Sequence, residues 1–134
     1  MLSAGIVLTT GVIALEGPCS PAKGHKVGLK TDSIARLKSW TQAKYGKDAI
    51  QFECLDLLWT MESHWNYKAI GARTRQGRAV GIVQALPASK MKSAGADYLT
   101  NPYTQIKWGL KYIRTRYNNN ACWALRHELN RGWY

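Results

Sequence analysis

Acidic residues are scarce in this sequence. The chain carries 8 Asp and Glu against 19 Lys and Arg, a formal net charge of +11 over 134 residues. Such a balance predicts a polyanionic partner, for which nucleic acid, an anionic membrane surface and an anionic bacterial wall all qualify. The cations are spread from Lys23 to Arg131 and are not gathered in one run, which disfavours nucleic acid as the partner.

An apolar run of membrane-spanning length is also missing at the N-terminus. Residues 2–15 are uncharged and mostly apolar but too short to span a bilayer. The run resembles the core of a signal peptide without its basic flank, so an export signal and a buried or partner-bound segment both remain open. Residues 16–30 are rich in Pro, Gly and Lys, which is typical of a linker. The sequence therefore predicts an N-terminal segment with linker over 1–30 and one domain over 31–134.

Cysteine is rare, and its spacing excludes common metal motifs. The three cysteines are Cys19, Cys54 and Cys122, and neither CxxC nor HxxxH occurs, so we expect no metal site and no cofactor. Cys54 and Cys122 lie in stretches predicted to be buried helices. They form a disulfide if the protein leaves the cytosol and are two buried thiols otherwise. Cys19 is then the unpaired cysteine.

Strand signals are few, whereas helix signals recur from residue 31 onward. The only predicted strand is around Val80–Val83, as part of a small hairpin near the loop that follows the second helix. The predicted helices are one capped by Asp32, one running from Asp48 to Trp65, a short one from Pro87 to Gly95, one from Asn101 to Tyr117, and one over 121–130. The predicted fold class is mainly α.

One carboxylate stands apart from the others. Five of the eight acids are assigned to caps, the linker, a turn or the polar side of the last helix, namely Glu16, Asp32, Asp48, Asp97 and Glu128. Glu53, Asp56 and Glu62 share the second helix. At about 100° per residue, Glu62 alone falls on its broad apolar face, together with Leu55, Leu58, Trp59 and Met61.

The position of Glu62 has a chemical consequence. Desolvation among apolar side chains raises the pKa of a carboxyl group, and the negative end of the helix dipole acts in the same direction. A glutamic acid that keeps its proton near neutral pH is the general acid that glycosidic cleavage needs. The alternative is an ordinary glutamate at a helix end, solvated or paired with an arginine.

Several segments resemble the lytic transglycosylase family of the lysozyme-like superfamily. Glu62-Ser63 resembles its first motif, Gly81 to Gln84 its second, and Asn101 to Tyr112 its third. The runs from Gln84 to Asp97 and Thr100 to Ile113, with the terminal Gly-Trp-Tyr, are similar to an actinobacterial and phage-associated branch. The resemblance covers about residues 50–134 and implies a lysozyme-like domain.

The resemblance also implies a reaction. Glu62 would protonate the oxygen between N-acetylmuramic acid and N-acetylglucosamine, then act as the base while the C6 hydroxyl attacks C1 to give a 1,6-anhydro product. A second carboxylate is not required, unlike in the usual glycosidases, and the sequence offers no obvious acidic partner for Glu62. The cysteines of that branch fall at Cys54 and Cys122, which implies their pairing.

Further substrate-binding residues are predicted around Glu62. By resemblance, Gln84 would bond the substrate or order Glu62, and Ser63 would support Glu62. On the long helix, Gln105, Trp108 and Tyr112 form a stripe beside the one expected to face the core, and Tyr112 is the best candidate for a contact to Glu62 or the sugar. Packing or loop bracing is the alternative role of each of these side chains.

Three other functions remain open from the sequence. The protein could be a muramidase of the same fold that uses water. It could be a basic wall-binding module without catalysis. It could also be a structural part of a phage particle or secretion assembly. Each of these would act in the wall or outside the cell, and we expect peptidoglycan strands as the partner.

Overall fold

The computed structural model describes residues 33–134. Within them the elements are α1 (Ile34–Tyr45), α2 (Ala49–Ser63), β1 (Ile70–Thr74), β2 (Gly77–Val80), a 3-10 helix (Ala88–Ala94), α3 (Pro102–Arg116) and α4 (Ala121–Arg131). The predicted mainly α class with a small hairpin is confirmed. None of these helices has the length and apolar character needed to cross a membrane. The predicted leader, linker, Asp32 cap and unpaired Cys19 lie outside the described residues.

Helix starts follow the capping residues in the sequence. The Asp48 side chain accepts a hydrogen bond from the Gln51 amide at 2.9 Å, as predicted for an N-cap. The side chain of Gln51 does not bond back to this cap, because its Oε1 accepts from the Ala121 amide at 2.8 Å. That amide belongs to the first turn of α4, where backbone donors lack helical partners. At α1 the cap is Ser33, which accepts from the Arg36 amide.

The last two helices are separated by an asparagine-rich turn. Asn118 and Asn119 adopt positive φ angles of 50° and 58°, a conformation that asparagine tolerates and that ends α3 as predicted. Asn101 and Asn120 cap α3 and α4 by accepting from Tyr103 and Trp123 amides. Both long C-terminal helices therefore begin where the sequence places them.

The hairpin lies earlier in the chain than predicted. Strands β1 and β2 pair antiparallel, with Arg73 opposite Arg78 and Thr74 opposite Gly77. The prediction placed the strand at Val80–Val83, and only Val80 belongs to it. The following residues form a turn, closed by a bridge between Val80 and Ala85. Gly77, with φ of 102°, adopts a conformation that favours glycine where the turn meets β2.

The core takes residues from all four α-helices and from the segment between Ile82 and Met91. Leu55, Leu58 and Trp59 of α2 are fully buried, and the predicted core stripe of α3 is confirmed at Ile106, Leu110, Ile113 and Tyr117. Met61 was predicted to share the apolar face of α2 but is 44% exposed. On the helical wheel it lies well away from the centre of the face that Leu55 and Trp59 define, so it points to solvent.

Helices α2 and α4 pack side by side and run in the same direction. A disulfide joins Cys54 to Cys122 near their N-terminal ends, confirming the predicted pairing. Near their other ends, Trp59 Nε1 donates to the hydroxyl of the C-terminal Tyr134 at 3.0 Å. The two helices are thus held together at both ends, so their last turns lie side by side.

Candidate active site

Glu62 occupies the last turn of α2, where the chain leaves the helix. His64 caps the helix in the left-handed conformation, with φ of 52°, and turns the backbone away. The Glu62 side chain is half-buried and lines a cleft of about 700 Å³. Desolvation, followed by the charge of Glu128 and a hydrogen bond to it, raises the pKa of Glu62 to about 7. Glu62 therefore keeps its proton to a higher pH than an ordinary glutamate does.

The cleft has walls of different character. One wall is the hairpin, which contributes small and polar residues. The opposite wall is aromatic and basic, from α3 and the C-terminus. The lining side chains with rings or charge are Glu62, Lys90, Trp108, Tyr112, Arg116, Trp133 and Tyr134. A groove with flat rings on one side and a protonated carboxyl at its base suits a sugar polymer.

Trp108 and Tyr112 lie on the cleft wall, as their helical stripe predicted. Their rings stack at 5.2 Å between centroids with an interplanar angle of 20°. The Tyr112 hydroxyl donates to the backbone carbonyl of Tyr134 at 3.1 Å. Its hydrogen bond therefore fixes the C-terminus and is not made to Glu62, although the ring still faces the space that a ligand would fill.

Gln105 is not among the residues that line the cleft, so its position gives no support to the predicted substrate contact. The side chain is fully buried. Its Oε1 accepts from the Ile82 amide at 2.9 Å, and its Nε2 donates to the carbonyls of Tyr67 and Tyr98. A Cβ on Gly81 would overlap this amide, so the close approach requires glycine there. Gln105 braces the turn beside Glu62.

Ser63 supports the same turn. It is 8% exposed, and its Oγ donates to the Ile82 carbonyl at 2.7 Å. Ser63 and Gln105 together hold the amide and carbonyl of Ile82. The serine next to Glu62 thus connects α2 to the cleft floor, and it is too buried for the predicted substrate contact.

Gln84 lines the cleft at the end of this turn. Its backbone is in the left-handed region, with φ of 48°, and its Nε2 donates to the Gly81 carbonyl at 2.9 Å. Its Oε1 lies against Gly71, where a Cβ would come within 2.9 Å of it. The side chain is oriented by its own turn and by β1, and its role toward substrate stays a prediction.

The C-terminal residues complete the site, and the sequence pattern alone did not assign them a role. The Tyr134 hydroxyl accepts from Trp59 Nε1 and donates to the Val83 carbonyl at 3.1 Å. Burial raises the pKa of Tyr134 well above 10, and the nearby charge of Glu62 acts in the same direction. Trp133 is 51% exposed, with the Arg116 guanidinium 5.2 Å from its ring centroid. The terminal Gly-Trp-Tyr run was the feature of the sequence that could have pointed to these residues.

Glu128 is the residue that sequence reasoning misplaced. It was assigned to the polar side of α4, and Glu62 was left without an acidic partner. Its charge and a hydrogen bond to it are among the causes that raise the pKa of Glu62, so its carboxyl group belongs to the surroundings of Glu62. Ala121, Ala124 and Leu125 form the buried face of α4, and Glu128 follows them at helical spacing, so it lies on the face turned to α2.

This arrangement defines a class of protein: a mainly α domain whose cleft holds one desolvated glutamic acid. The family model described as the Transglycosylase SLT domain matches residues 39–125. The chain belongs to this transglycosylase family, whose domains act on peptidoglycan. Searches of curated proteins and of solved structures gave no match. Among residues 33–134, no three His, Cys, Asp or Glu side chains are placed to hold a metal ion.

Proposed function

We propose that this protein is a lytic transglycosylase that cleaves the bond between N-acetylmuramic acid and N-acetylglucosamine in peptidoglycan. The proposal includes Glu62 as both acid and base, a 1,6-anhydro product, and action outside the cytoplasm. The observation that carries it is the desolvated Glu62 carboxyl in the cleft of an SLT domain, with its pKa raised to about 7.

In the first step, the proton of Glu62 passes to the glycosidic oxygen as the bond from that oxygen to C1 breaks. Positive charge then develops at C1 and on the ring oxygen. The new Glu62 carboxylate faces this charge and stabilises it. The N-acetylglucosamine end leaves as an alcohol, carrying the proton that Glu62 supplied.

In the second step, Glu62 takes the proton of the C6 hydroxyl on the same muramic ring. The C6 oxygen bonds to C1, which closes the anhydro ring and returns Glu62 to its starting form. No water is consumed. We assign Trp108 and Trp133 to the sugar faces, Gln84 and Arg116 to polar groups of the strand, and Tyr112 to packing of Trp108.

Product masses test this proposal. Purified peptidoglycan is digested with the wild type, with Glu62→Gln, and with Glu53→Gln, which removes an exposed carboxylate from the same helix. We expect anhydro-muropeptides, each one water lighter than a hydrolytic product, from the wild type and Glu53→Gln only. Reducing ends that depend on Glu62 would instead make the protein a hydrolase. Equal traces from all three proteins would contradict any catalytic role of Glu62.

A further inference from the structure

Glu128 has no function in the reaction as described so far, yet its carboxyl group touches that of Glu62. The contact follows from how α2 and α4 are joined. The bond between Gln51 and the Ala121 amide and the Cys54–Cys122 disulfide align the two helices at one end. Their last turns are then side by side, and each presents one glutamate to the other.

Two ionised carboxylates cannot hydrogen-bond to each other, because both groups only accept. The contact between Glu62 and Glu128 therefore needs a proton between them. Glu128 Oε2 gives support from geometry, since it is buried and accepts no hydrogen bond from any donor of the described residues. A buried acceptor left unpaired is unfavourable, and a shared proton satisfies it.

The charged and titratable groups around the pair do not neutralise it. From α3 these are Tyr112 and Arg116, from α4 His127, from the C-terminus Tyr134, and from the 3-10 helix Lys90. The Arg116 guanidinium lies over the rings of Tyr117 and Trp133. His127 Nδ1 is 2.7 Å from the Trp133 carbonyl oxygen. Within residues 33–134, neither glutamate forms an ion pair with a cation.

The geometry also excludes a second role that a carboxylate could have in glycan cleavage. Paired glycosidase carboxylates stand about 5 to 9.5 Å apart on opposite sides of the bond, with the sugar or a water between them. Glu128 is close enough to raise the pKa of Glu62 through a hydrogen bond, a separation that leaves no room for a sugar or a water between the two groups. It lies behind Glu62 and is absent from the cleft lining.

We propose that Glu128 is a positioning residue that shares a proton with Glu62 and so controls when Glu62 acts as acid and as base. This inference rests on the proposed function. Once Glu62 has given its proton to the glycosidic oxygen, two carboxylates lie side by side next to the positive sugar. Their repulsion ends when Glu62 takes the C6 proton and the C6 oxygen bonds to C1. The charge of Glu128 thus keeps Glu62 in its acid form near neutral pH and favours the second proton transfer, in which Glu62 is the base.

The test is the pH profile of kcat/KM on peptidoglycan for the wild type, Glu128→Gln and Glu53→Gln. Glutamine keeps the shape of Glu128 but removes its charge and offers Glu62 a donor. We expect the alkaline fall in activity to move to lower pH by about one unit or more in Glu128→Gln. Glu53→Gln, which makes the same change in net charge, should leave the profile in place. Glu128→Asp should move it back toward the wild type.

An unmoved profile in folded Glu128→Gln, with activity still dependent on Glu62, would overturn this inference alone. Wild-type activity in Glu62→Gln would overturn the proposed function as well. If Glu128→Gln does not fold, carbon NMR of labelled glutamate carboxyls in the wild type decides. Two coupled titrations that both change in Glu62→Gln support the shared proton, and independent titrations of the two groups contradict it.

Discussion

Glu62 combines two properties that a catalytic acid needs, a proton retained near neutral pH and access to a cleft. Burial supplies the larger part of the first property, and Glu128 adds to it. The last-turn position on α2 supplies the second. A fully buried glutamate would be protonated but could not reach substrate, and an exposed one would have lost its proton well below pH 7.

This acidity leads to a prediction about pH. The acid form of Glu62 must be present for the first step, so kcat/KM should fall as pH rises through about 7. The fall should approach tenfold per unit at higher pH, because one proton is lost. Initial rates on purified peptidoglycan across neutral and alkaline buffers of constant ionic strength provide the measurement. Activity that keeps rising well above neutrality would contradict the assignment of Glu62 as the acid.

Residue-scale prediction from sequence succeeded where a side chain follows its own helix. The half-buried position of Glu62 on α2 could be predicted from its place relative to Leu55 and Trp59, and its catalytic role stays a prediction. The surroundings of Glu128 could not be predicted, because they depend on α2, which is distant in sequence. Gln105 was placed on the correct helix, but a polar side chain in a stripe can face either a cleft or a buried turn, and the pattern does not distinguish them.

At the scale of elements, the Trp59 ring of α2 packs against Gly109 of α3. A Cβ there would lie 2.7 Å from Cζ2 of Trp59 and 2.5 Å from Cγ1 of Val83. Gly109→Ala should therefore destabilise the fold by about 1 to 3 kcal/mol through overpacking, despite alanine's better helix propensity. Urea unfolding against Lys111→Ala, a change at an exposed position of α3, measures it. A more stable Gly109→Ala would show that this packing is loose.

The disulfide is the second element-scale feature with a measurable effect. It closes a chain segment with a sequence separation of 68 residues. Replacing both Cys54 and Cys122 with Ala should lower the free energy of unfolding by about 2 to 4 kcal/mol, since the unfolded chain regains its freedom. Chemical denaturation of the variant and of the reduced wild type should agree. No change in either would contradict a stabilising role for the bond.

Element boundaries were predictable because local chemistry sets them. Asp48 and Asn101 cap helices through side-chain bonds to nearby amides, which spacing reveals. The hairpin was displaced in the prediction because its polar strands lack an apolar alternation. Its register depends on Gly77 and on the turn fixed by Gln105, a contact 23 residues away from Ile82.

At the scale of the whole molecule, the net charge of +11 should govern how the protein meets its substrate. Arg73, Arg75 and Arg78 are exposed on the hairpin that forms one wall of the cleft. Attraction to an anionic wall is screened by salt, because the Debye length falls from about 10 Å at 0.1 M to about 3 Å at 1 M. The positive charge near the cleft therefore predicts that binding of the protein to the wall weakens as the salt concentration rises.

We expect activity on intact, insoluble walls to fall as salt rises, while activity on short soluble glycans changes little. Replacing the three hairpin arginines with Gln should reduce that sensitivity without altering cleavage of the soluble substrate. Clearing of wall turbidity and release of product from soluble glycans, each measured across a salt series, compare the two substrates. Equal salt effects on both substrates would show that salt acts on catalysis itself, and would contradict a role of electrostatic attraction to the wall.

The central claim is that Glu62 carries the chemistry, and one comparison tests it most directly. This is the rate of bond cleavage in purified peptidoglycan by the wild type, Glu62→Gln and Glu53→Gln, with equal folding verified by circular dichroism. We predict that Glu62→Gln loses about 100- to 10,000-fold in kcat, the usual contribution of a general acid, while Glu53→Gln retains the wild-type rate. A Glu62→Gln protein that cleaves as fast as the wild type would contradict the account.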